Sequence, residues 1–548
     1  MKKVLSITLA VLLLFTLFVP ALAAEDATTR STVPTILIAG DGDPLYDANN
    51  KRLFRPTEIM NYFGDKTEGD DGDSEIVDSV VNVLKPFLFE GVLLDQWDNY
   101  YEKLQEEITE LFSDIILDNN GDVVNGTGIS NARKSYMAKA VKTDKADKNG
   151  TYGMYDYRFW YDWRLDPVAV ADDFNDYVEA VKKITGKDKV AIVGRCLGTS
   201  VVLAYVAKYG TDSIHGIAFY GSVAAGAEIL SEPISGKFAI DGNAINRTLA
   251  DFSDTLEIHP FINATIDLLE KSGVIDGATE LVKRTIYYKV VKGVTSALAL
   301  STFYTWPNYW AAVSPEDYDE AMLYVFGEEG SEKRTKYAGL IEKIEGYDTL
   351  VRDNLTDLMK SFGEKGINVA ILSKYGYQLL PICSSSELVA DEFTSVTRSS
   401  FGATASTIYT FLSDEYISSL GEKAKYVSPD KRVDASTCLY PDSTWFVKGS
   451  SHTLWNKYED EIVHTVATAQ SQLTVNDLPY TQYMVYDAEN DTMTVMTEEN
   501  CNTENWVADE KTDKPDNIIG KISAFFKSFF NWVINFFKLI TQKLVSAA

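Results

Sequence analysis

The chain has 548 residues, of which 45% are hydrophobic and 24% are charged, a composition typical of a folded globular protein. Its 51 Lys and Arg residues against 80 Asp and Glu residues give a net charge of −29, so we expect no nucleic-acid partner, because such a surface repels phosphate backbones. Four Cys and four His argue against a disulfide scaffold and a His-rich metal protein, and we expect neither a metal ion nor a cofactor.

Residues 1–24 are predicted to form a signal peptide. Lys2 and Lys3 provide a basic start, Val4 to Val19 an apolar stretch, and Ala21-Leu22-Ala23 a small-residue cleavage signal. The apolar stretch is shorter than the roughly 20 residues that a membrane span needs, and an uncleaved anchor is the alternative. The sequence therefore predicts an exported protein, secreted or otherwise extracytoplasmic.

Residues 25–510 are predicted to form one catalytic domain in which strands alternate with helices. Short apolar runs without polar alternation are typical of central parallel strands. They lie at 33–38, 189–193, 214–220, 366–372 and 444–447. Helical patterns lie at 74–89, 95–117, 172–185 and 199–209. This alternation predicts an α/β fold, a mostly parallel sheet with helices on both faces.

Residues of about 225–345 interrupt this alternation. The run 287–310 is rich in Tyr, Val, Leu and Trp, with Lys289 and Lys292 as its only charges. Two interpretations stay open and overlap: buried helices of a second subdomain, or a helical cap that closes over an apolar substrate.

The sequence Gly194-Arg195-Cys196-Leu197-Gly198 stands between a predicted strand and a predicted helix. This is the pattern of a nucleophile elbow, in which Gly194 and Gly198 leave room for a sharp turn and Cys196 projects from the carboxyl edge of the sheet. A helix N-terminus beside the thiol favours its anion. The alternative is an ordinary buried Cys in a Gly-bounded turn.

The base that serves such a nucleophile follows it and its acid along the chain. His215 and His259 come too early, and we expect His464, inside a helical pattern, to face solvent or a neighbouring helix. His452 follows the strand at 444–447 after a short loop. His452 is therefore the predicted base, and Glu387, Asp391 and Glu392 are the candidate acids behind the strand at 366–372.

Several motifs resemble the lecithin:cholesterol acyltransferase-like branch of the α/β-hydrolase superfamily, in particular its exported bacterial lipase-like members. They are Leu37-Ile38-Ala39-Gly40, Leu45-Tyr46-Asp47, Tyr161-Asp162-Trp163-Arg164-Leu165, the elbow, Ser399-Ser400-Phe401-Gly402-Ala403-Thr404 after Asp391, and Pro441 to Lys448 before His452. The resemblance covers about 33–455 and implies an α/β-hydrolase fold with Asp391 as the acid. The chain departs from the family at Cys196, where the family has Ser.

The fold and the resemblance together imply an acyl hydrolase or acyltransferase that acts on lipid-type acyl esters. Its oxyanion hole would consist of the backbone N–H groups of Leu197 and of Asp41 or Gly42. The segment around Tyr161-Asp162-Trp163-Arg164 either orders the loop that leads into the cleft or holds a structural ion pair. The alternative function is a catalytically inactive lipid- or surface-binding protein on the same fold.

Residues 517–545 are predicted to form a C-terminal amphipathic helix. Phe, Ile and Trp residues cover most of its circumference, and from Lys521 to Lys543 it carries four Lys and no acid. An aromatic, basic amphipathic helix is typical of a membrane interface. Packing against the enzyme itself or self-association is the alternative. The pairing of Cys383, Cys438 and Cys501 stays open.

Overall fold

The structure is a computed structural model that describes residues 29–40, 43–54, 90–91, 95–237, 289, 292–293, 296–297, 299–379 and 383–501. The predicted signal peptide, the helical pattern at 74–89 and the predicted C-terminal helix 517–545 lie outside the described residues, as does part of the insertion at 225–345.

A central sheet of eight strands organises the described part of the chain. The strands are β1 Thr35–Ile38, β2 Tyr157–Phe159, β3 Val190–Arg195, β4 Ile214–Tyr220, β5 Asn368–Tyr375, β6 Thr444–Lys448, β7 Tyr483–Asp487 and β8 Thr492–Val495. Their order across the sheet is β8-β7-β6-β5-β4-β3-β1-β2. Only β8 is antiparallel to its neighbour, and the other described pairs are parallel. The predicted mostly parallel α/β sheet is confirmed.

Helices connect these strands. Those of eight or more described residues are α1 Trp97–Leu111, α2 Asn131–Ala140, α3 Pro167–Thr185, α4 Gly198–Tyr209, α5 Glu228–Ser235, α6 Tyr318–Phe326, α7 Ala338–Tyr347, α8 Leu355–Glu364 and α9 Lys457–Thr468. Shorter α-helices span Pro307–Trp310, Glu332–Lys336, Val396–Ser399 and Asp414–Ser419. A π-helical turn spans Asp348–Arg352, and 3₁₀ turns span Phe303–Thr305, Pro315–Asp317, Gly421–Tyr426, Ala435–Thr437 and Pro441–Ser443. Three two-stranded ribbons pair Arg30–Ser31 with Tyr152–Gly153, Leu45–Tyr46 with Arg52–Phe54, and Thr404–Ala405 with Val433–Asp434.

Both faces of the sheet are covered, because successive strand residues point to opposite sides. Ile36 and Ile192 pack into the cluster that contains α3, α4 and α8, whereas Leu37 and Val193 pack into the cluster that contains α9. The strands at the centre of the sheet are buried along nearly their whole length. This is why they appear in the sequence as continuous apolar runs.

The insertion between β4 and β5 is helical where it is described. Its helices α5, α6 and α7 share an apolar cluster, to which Tyr304, Trp310 and Tyr337 contribute aromatic side chains. Trp310 stacks on Phe326 with ring centroids 5.4 Å apart. Other residues of the insertion, among them Ile229, Leu230 and Trp306, pack into the main core cluster, so the insertion is joined to the body of the sheet. Within the described residues, no helix is both long enough and apolar enough to cross a bilayer.

Candidate active site

Cys196 occupies the turn between β3, which ends at Arg195, and α4, which begins at Gly198. Its backbone is left-handed, with φ +48°, a conformation that a side chain bearing a Cβ seldom adopts. The turn is held because the Cys196 N–H donates to the Tyr220 carbonyl at 3.2 Å and the Thr199 hydroxyl donates to the Cys196 carbonyl at 2.6 Å. A strained backbone that surrounding hydrogen bonds hold in place is characteristic of a nucleophile elbow.

Close backbone contacts explain the glycines around this turn. A Cβ on Gly198 would stand 2.7 Å from the carbonyl oxygen of Ile38 in β1. A Cβ on Gly40 would stand 2.8 Å from the Cβ of Cys196 and 2.9 Å from the nitrogen of Leu197. Gly194 is less constrained, with the nearest atom, Cγ2 of Val202, at 3.2 Å. The chain that leaves β1 therefore lies directly against the elbow.

Asp391 and His452 meet in the loops that follow β5 and β6. The Asp391 Oδ2 atom lies 2.8 Å from Nδ1 of His452, and the His452 N–H donates to the Asp391 carbonyl at 2.8 Å. The other carboxylate oxygen, Oδ1, accepts the N–H groups of Phe393 and Thr394 at 3.1 and 2.9 Å. Of the three acids considered, the structure thus brings Asp391 to His452. Both side chains are buried.

The His452 imidazole is buried next to two aromatic side chains, Phe393 and Trp455. Phe393 stacks on the ring with centroids 4.6 Å apart and planes 18° apart. On another side, a Cβ on Gly221 would stand 3.7 Å from Cε1 of His452. Gly221 directly follows Tyr220, whose carbonyl holds the Cys196 N–H, so Cys196 and His452 adjoin consecutive residues of one chain segment. Within the described residues, Nε2 of His452 is buried and has no hydrogen-bond partner.

One predicted oxyanion donor can be located. Leu197 is the residue before α4, and no acceptor for its N–H is found among the described residues. Asp41 and Gly42 lie outside the described residues. The chain that follows them is fixed, because Asp43 accepts a hydrogen bond from Nε1 of Trp163 at 3.0 Å and pairs with Arg133 at 3.0 Å.

Arg164 forms a buried ion pair with Asp162. Its Nε and Nη2 atoms lie 2.9 and 2.6 Å from the two carboxylate oxygens, and the guanidinium also donates to the Ile115 carbonyl and the Thr127 hydroxyl. The two interpretations of this motif therefore apply to different residues. The Arg164 pair is structural, and the neighbouring Trp163 orders the loop that follows β1.

His464 does not face solvent or a neighbouring helix, and that expectation is wrong. Its side chain is buried between α9 and the first strand, with Nε2 3.1 Å from the Thr35 hydroxyl and Nδ1 3.2 Å from the Thr29 hydroxyl. Burial lowers the pKa of His464 to about 4. His215 lies at the start of β4 with Nε2 2.7 Å from the Ala469 carbonyl, and His259 lies outside the described residues.

The four cysteines, all within the described residues, form no disulfide. Burial raises the pKa of Cys383 well above its usual value and that of Cys438 to about 12, so both are poor nucleophiles. The described residues also contain no group of three or more His, Cys, Asp or Glu side chains placed to hold a metal ion.

A buried group of charges behind the His452 loop escaped the sequence analysis. Arg195 and Lys374, at the ends of β3 and β5, pair with Asp460 and Glu459 at the start of α9. The sequence carries a signal for it, since Arg195 lies inside the elbow and Lys374 interrupts an apolar strand.

The parallel sheet, the strained strand-to-helix turn and the acid–imidazole pair behind later strands define an α/β-hydrolase fold. A family model described as alpha/beta hydrolase fold matches residues 126–243, about a fifth of the chain, including β2, β3, the elbow and β4. No curated protein gives a significant match to the chain. The fold is typical of hydrolases and acyltransferases.

Proposed function

We propose that the protein is an acyl hydrolase or acyltransferase whose nucleophile is Cys196, with His452 as the general base and Asp391 as the acid that orients it. The observation that carries the proposal is the buried Asp391–His452 contact of 2.8 Å, with an unpartnered Nε2, beside the left-handed Cys196 turn. Nucleophile, base and orienting group in neighbouring positions are the arrangement of covalent acyl transfer.

In the first half-reaction the Cys196 sulfur attacks the ester carbonyl carbon while Nε2 of His452 takes the thiol proton. The carbonyl π electrons move to oxygen, and the oxyanion is stabilised by the Leu197 N–H and by a donor from the loop after β1; each such donor is typically worth about 3–4 kcal/mol. The tetrahedral intermediate then expels the alcohol, which takes the proton from His452. The product is an acyl thioester on Cys196.

In the second half-reaction His452 removes a proton from water or from an acceptor alcohol. The resulting oxygen nucleophile attacks the thioester, and the Cys196 sulfur leaves and recovers its proton from His452. A thioester is more reactive toward an acceptor than an oxygen ester is. The thiolate also attacks without complete base assistance when it lies beside an imidazole and a helix N-terminus.

Lipid-type acyl esters are the proposed substrates. The support is the resemblance of the motifs to exported lipase-like enzymes, together with the apolar surroundings of the base. Phe393 covers the imidazole. Helix α5 lies next to Phe393, since the backbone nitrogen of Ile229 is 3.4 Å from the Phe393 carbonyl oxygen. The insertion at 225–345 is proposed to be the cap over the acyl chain.

We also propose that the protein is exported and that residues 517–545 bind a membrane surface. The support is the sequence pattern of the two ends of the chain. Removal of the residues from Asn517 onward should reduce co-sedimentation with neutral and anionic vesicles and leave the remainder folded. Equal binding by both proteins would argue instead for packing of this segment against the enzyme.

Acyl trapping tests the catalytic proposal. The protein is incubated with an activated acyl ester, digested and searched by mass spectrometry for an acylated peptide, with Cys196→Ala and Cys383→Ala as variants. We expect the adduct on Cys196, lost in Cys196→Ala and retained in Cys383→Ala, because Cys383 is a buried thiol whose pKa is raised by that burial and which is not part of the elbow. An adduct confined to another Cys, or none with a range of esters, would favour a lipid-binding protein without activity.

A further inference from the structure

Four charged side chains lie buried behind the loop that carries His452. Arg195 forms an ion pair with Asp460, and Nζ of Lys374 lies 3.3 Å from Oε2 of Glu459. At most 6% of any of these side chains is exposed. Two cations and two carboxylates thus balance in a water-poor part of the molecule.

Each of the four charged residues lies close in the chain to one of the elements that carry Cys196, Asp391 and His452. Arg195 directly precedes Cys196, and Lys374 is next to the last residue of β5, the strand that leads to the Asp391 loop. Glu459 and Asp460 belong to the first turn of α9, which begins five residues after His452. The ion pairs therefore join the strands behind the nucleophile and the acid to the helix that follows the base.

Lys374 also contacts the loop of His452 directly. Its ammonium donates to the carbonyl of Ser451 at 3.2 Å and to the carbonyl of Leu454, which lie on either side of His452. Trp455 completes the loop as an aromatic wall, with its ring centroid 4.1 Å from Nζ of Lys374 and 4.7 Å from the Arg195 guanidinium.

Stability alone does not account for such a cluster. Removing four charges from water is costly, and apolar side chains of similar volume are often as stabilising as a buried ion pair. Burial lowers the pKa of Lys374, and the carboxylates of Glu459 and Asp391 oppose that effect. The Lys374 charge is therefore electrostatically linked to the acid that pairs with His452.

We propose that Lys374, supported by Arg195, is a positioning residue that fixes the His452 loop at the distance from Cys196 that proton transfer requires. Lys374 holds the peptide groups around His452, and the two carboxylates of α9 hold Lys374 and Arg195 in place. This inference rests on the proposed function of Cys196 and His452. It adds to that function a second layer of residues that do not touch the substrate.

Lys374→Met tests the inference, and Lys448→Met is its matched control. Lys448 ends the neighbouring strand β6, is as buried as Lys374 and pairs with Asp430 at 3.1 Å, and its ammonium donates to the Cys501 carbonyl where that of Lys374 donates to carbonyls of the His452 loop. Turnover of an activated acyl ester and thermal unfolding are measured for both variants. We expect Lys374→Met to lower kcat on the order of 100-fold with little change in KM, as a displacement of about 1 Å at a catalytic group does. We expect Lys448→Met to lower the unfolding temperature without this loss.

A second measurement separates positioning from folding. The rate of alkylation of Cys196 by iodoacetamide is followed against pH, because a thiolate held by a nearby imidazolium reacts at a lower pH than an isolated thiol. Lys374→Met should move this profile toward higher pH, and Lys448→Met should not. If Lys374→Met does not fold, Glu459→Gln takes its place, with an expected kcat loss of roughly tenfold, since it weakens only one charged contact of Lys374.

The outcomes separate the two proposals. If the wild-type protein shows no turnover and its Cys196 is alkylated only at the pH of an isolated thiol, the proposed function is wrong and the inference falls with it. An active wild type with equal kcat and equal alkylation profiles in Lys374→Met and Lys448→Met overturns the inference alone. Unchanged kcat in a folded Glu459→Gln protein would overturn it as well.

Discussion

Replacing His464 by Gln should remove one cause of the loss of stability that the protein suffers as the pH is lowered. Burial lowers the pKa of this His to about 4 in the folded state, against 6.5 for a solvated His. Below pH 6.5, His464 therefore becomes protonated in the unfolded chain but stays neutral in the folded chain. The free energy of unfolding falls for this reason as the pH falls toward 4. By pH 5 the unfolded His is almost fully protonated and the folded one almost fully neutral, which corresponds to a loss of about 2 kcal/mol relative to pH 7.5.

Urea unfolding at pH 7.5, 6.5, 5.8 and 5.0, followed by Trp fluorescence, measures the effect for the wild type and for His464→Gln. At pH 7.5 the variant should be less stable, because it loses the contacts with Thr29 and Thr35. The difference in the free energy of unfolding between wild type and variant should shrink by about 2 kcal/mol by pH 5.0, because there the neutral, buried His464 destabilises the wild type relative to its protonated unfolded chain. Comparison with the wild type cancels the carboxylates that titrate in the same range. The assignment of a lowered pKa to His464 would be refuted if the stability difference did not depend on pH while the urea dependence of the free energy of unfolding stayed the same in both proteins.

The other predictions concern the base, a buried acid and the elbow. His452→Ala should abolish ester turnover in a folded protein, whereas Asp391→Asn should be milder, because a thiolate–imidazole pair depends less on its orienting acid; equal losses in the two variants would contradict this. Glu232 has the opposite pH dependence to His464, since burial raises its pKa to about 7 and its ionisation destabilises the fold as the pH rises from 4.5 through 7. Glu232→Gln should therefore gain about 2 kcal/mol on the wild type between pH 5 and 8 in urea unfolding, and a constant difference would exclude the assignment. Gly198→Ala should lower both the unfolding temperature and kcat, because its Cβ would stand 2.7 Å from the Ile38 carbonyl. Its control Gly346→Ala, in open space within α7, should gain about 0.5–1 kcal/mol; a Gly198→Ala protein as stable and active as this control would show that the elbow has room for a side chain.

The sharp turn at Cys196 and the place of His452 behind a later strand could be predicted because chain order and topology constrain them. In this fold the catalytic groups follow strands in the order nucleophile, acid, His, and only four His had to be considered. The acid needed the family resemblance, because Glu387, Asp391 and Glu392 all follow β5. The structure brings Asp391 to His452, and whether the three residues act together stays a prediction.

Polar residues inside buried elements could not be placed from the sequence. Helix α9 is buried over most of its circumference, including Asp460, His464 and Thr468, so its polar side chains resemble a solvent-facing side when only periodicity is considered. For the same reason the strand predicted at 366–372 stops before Lys374, although β5 continues to Tyr375. A buried charge is recognisable only when its partner is known, and Glu459 lies 85 positions further along the chain.

The separation of these residues along the chain bears on how the protein matures. The backbone bond that shapes the Cys196 turn comes from Tyr220, only 24 residues away, whereas the Asp391–His452 contact joins positions 61 residues apart and beyond the insertion. Contacts between distant segments form late, because the loop-closure entropy must be overcome first. We therefore expect the Cys196 turn to form before the loop of His452, the proposed base, packs beside it. During synthesis and refolding, such an order would shield the sulfur from oxidants and from stray acyl donors until the sheet is complete from β3 to β6.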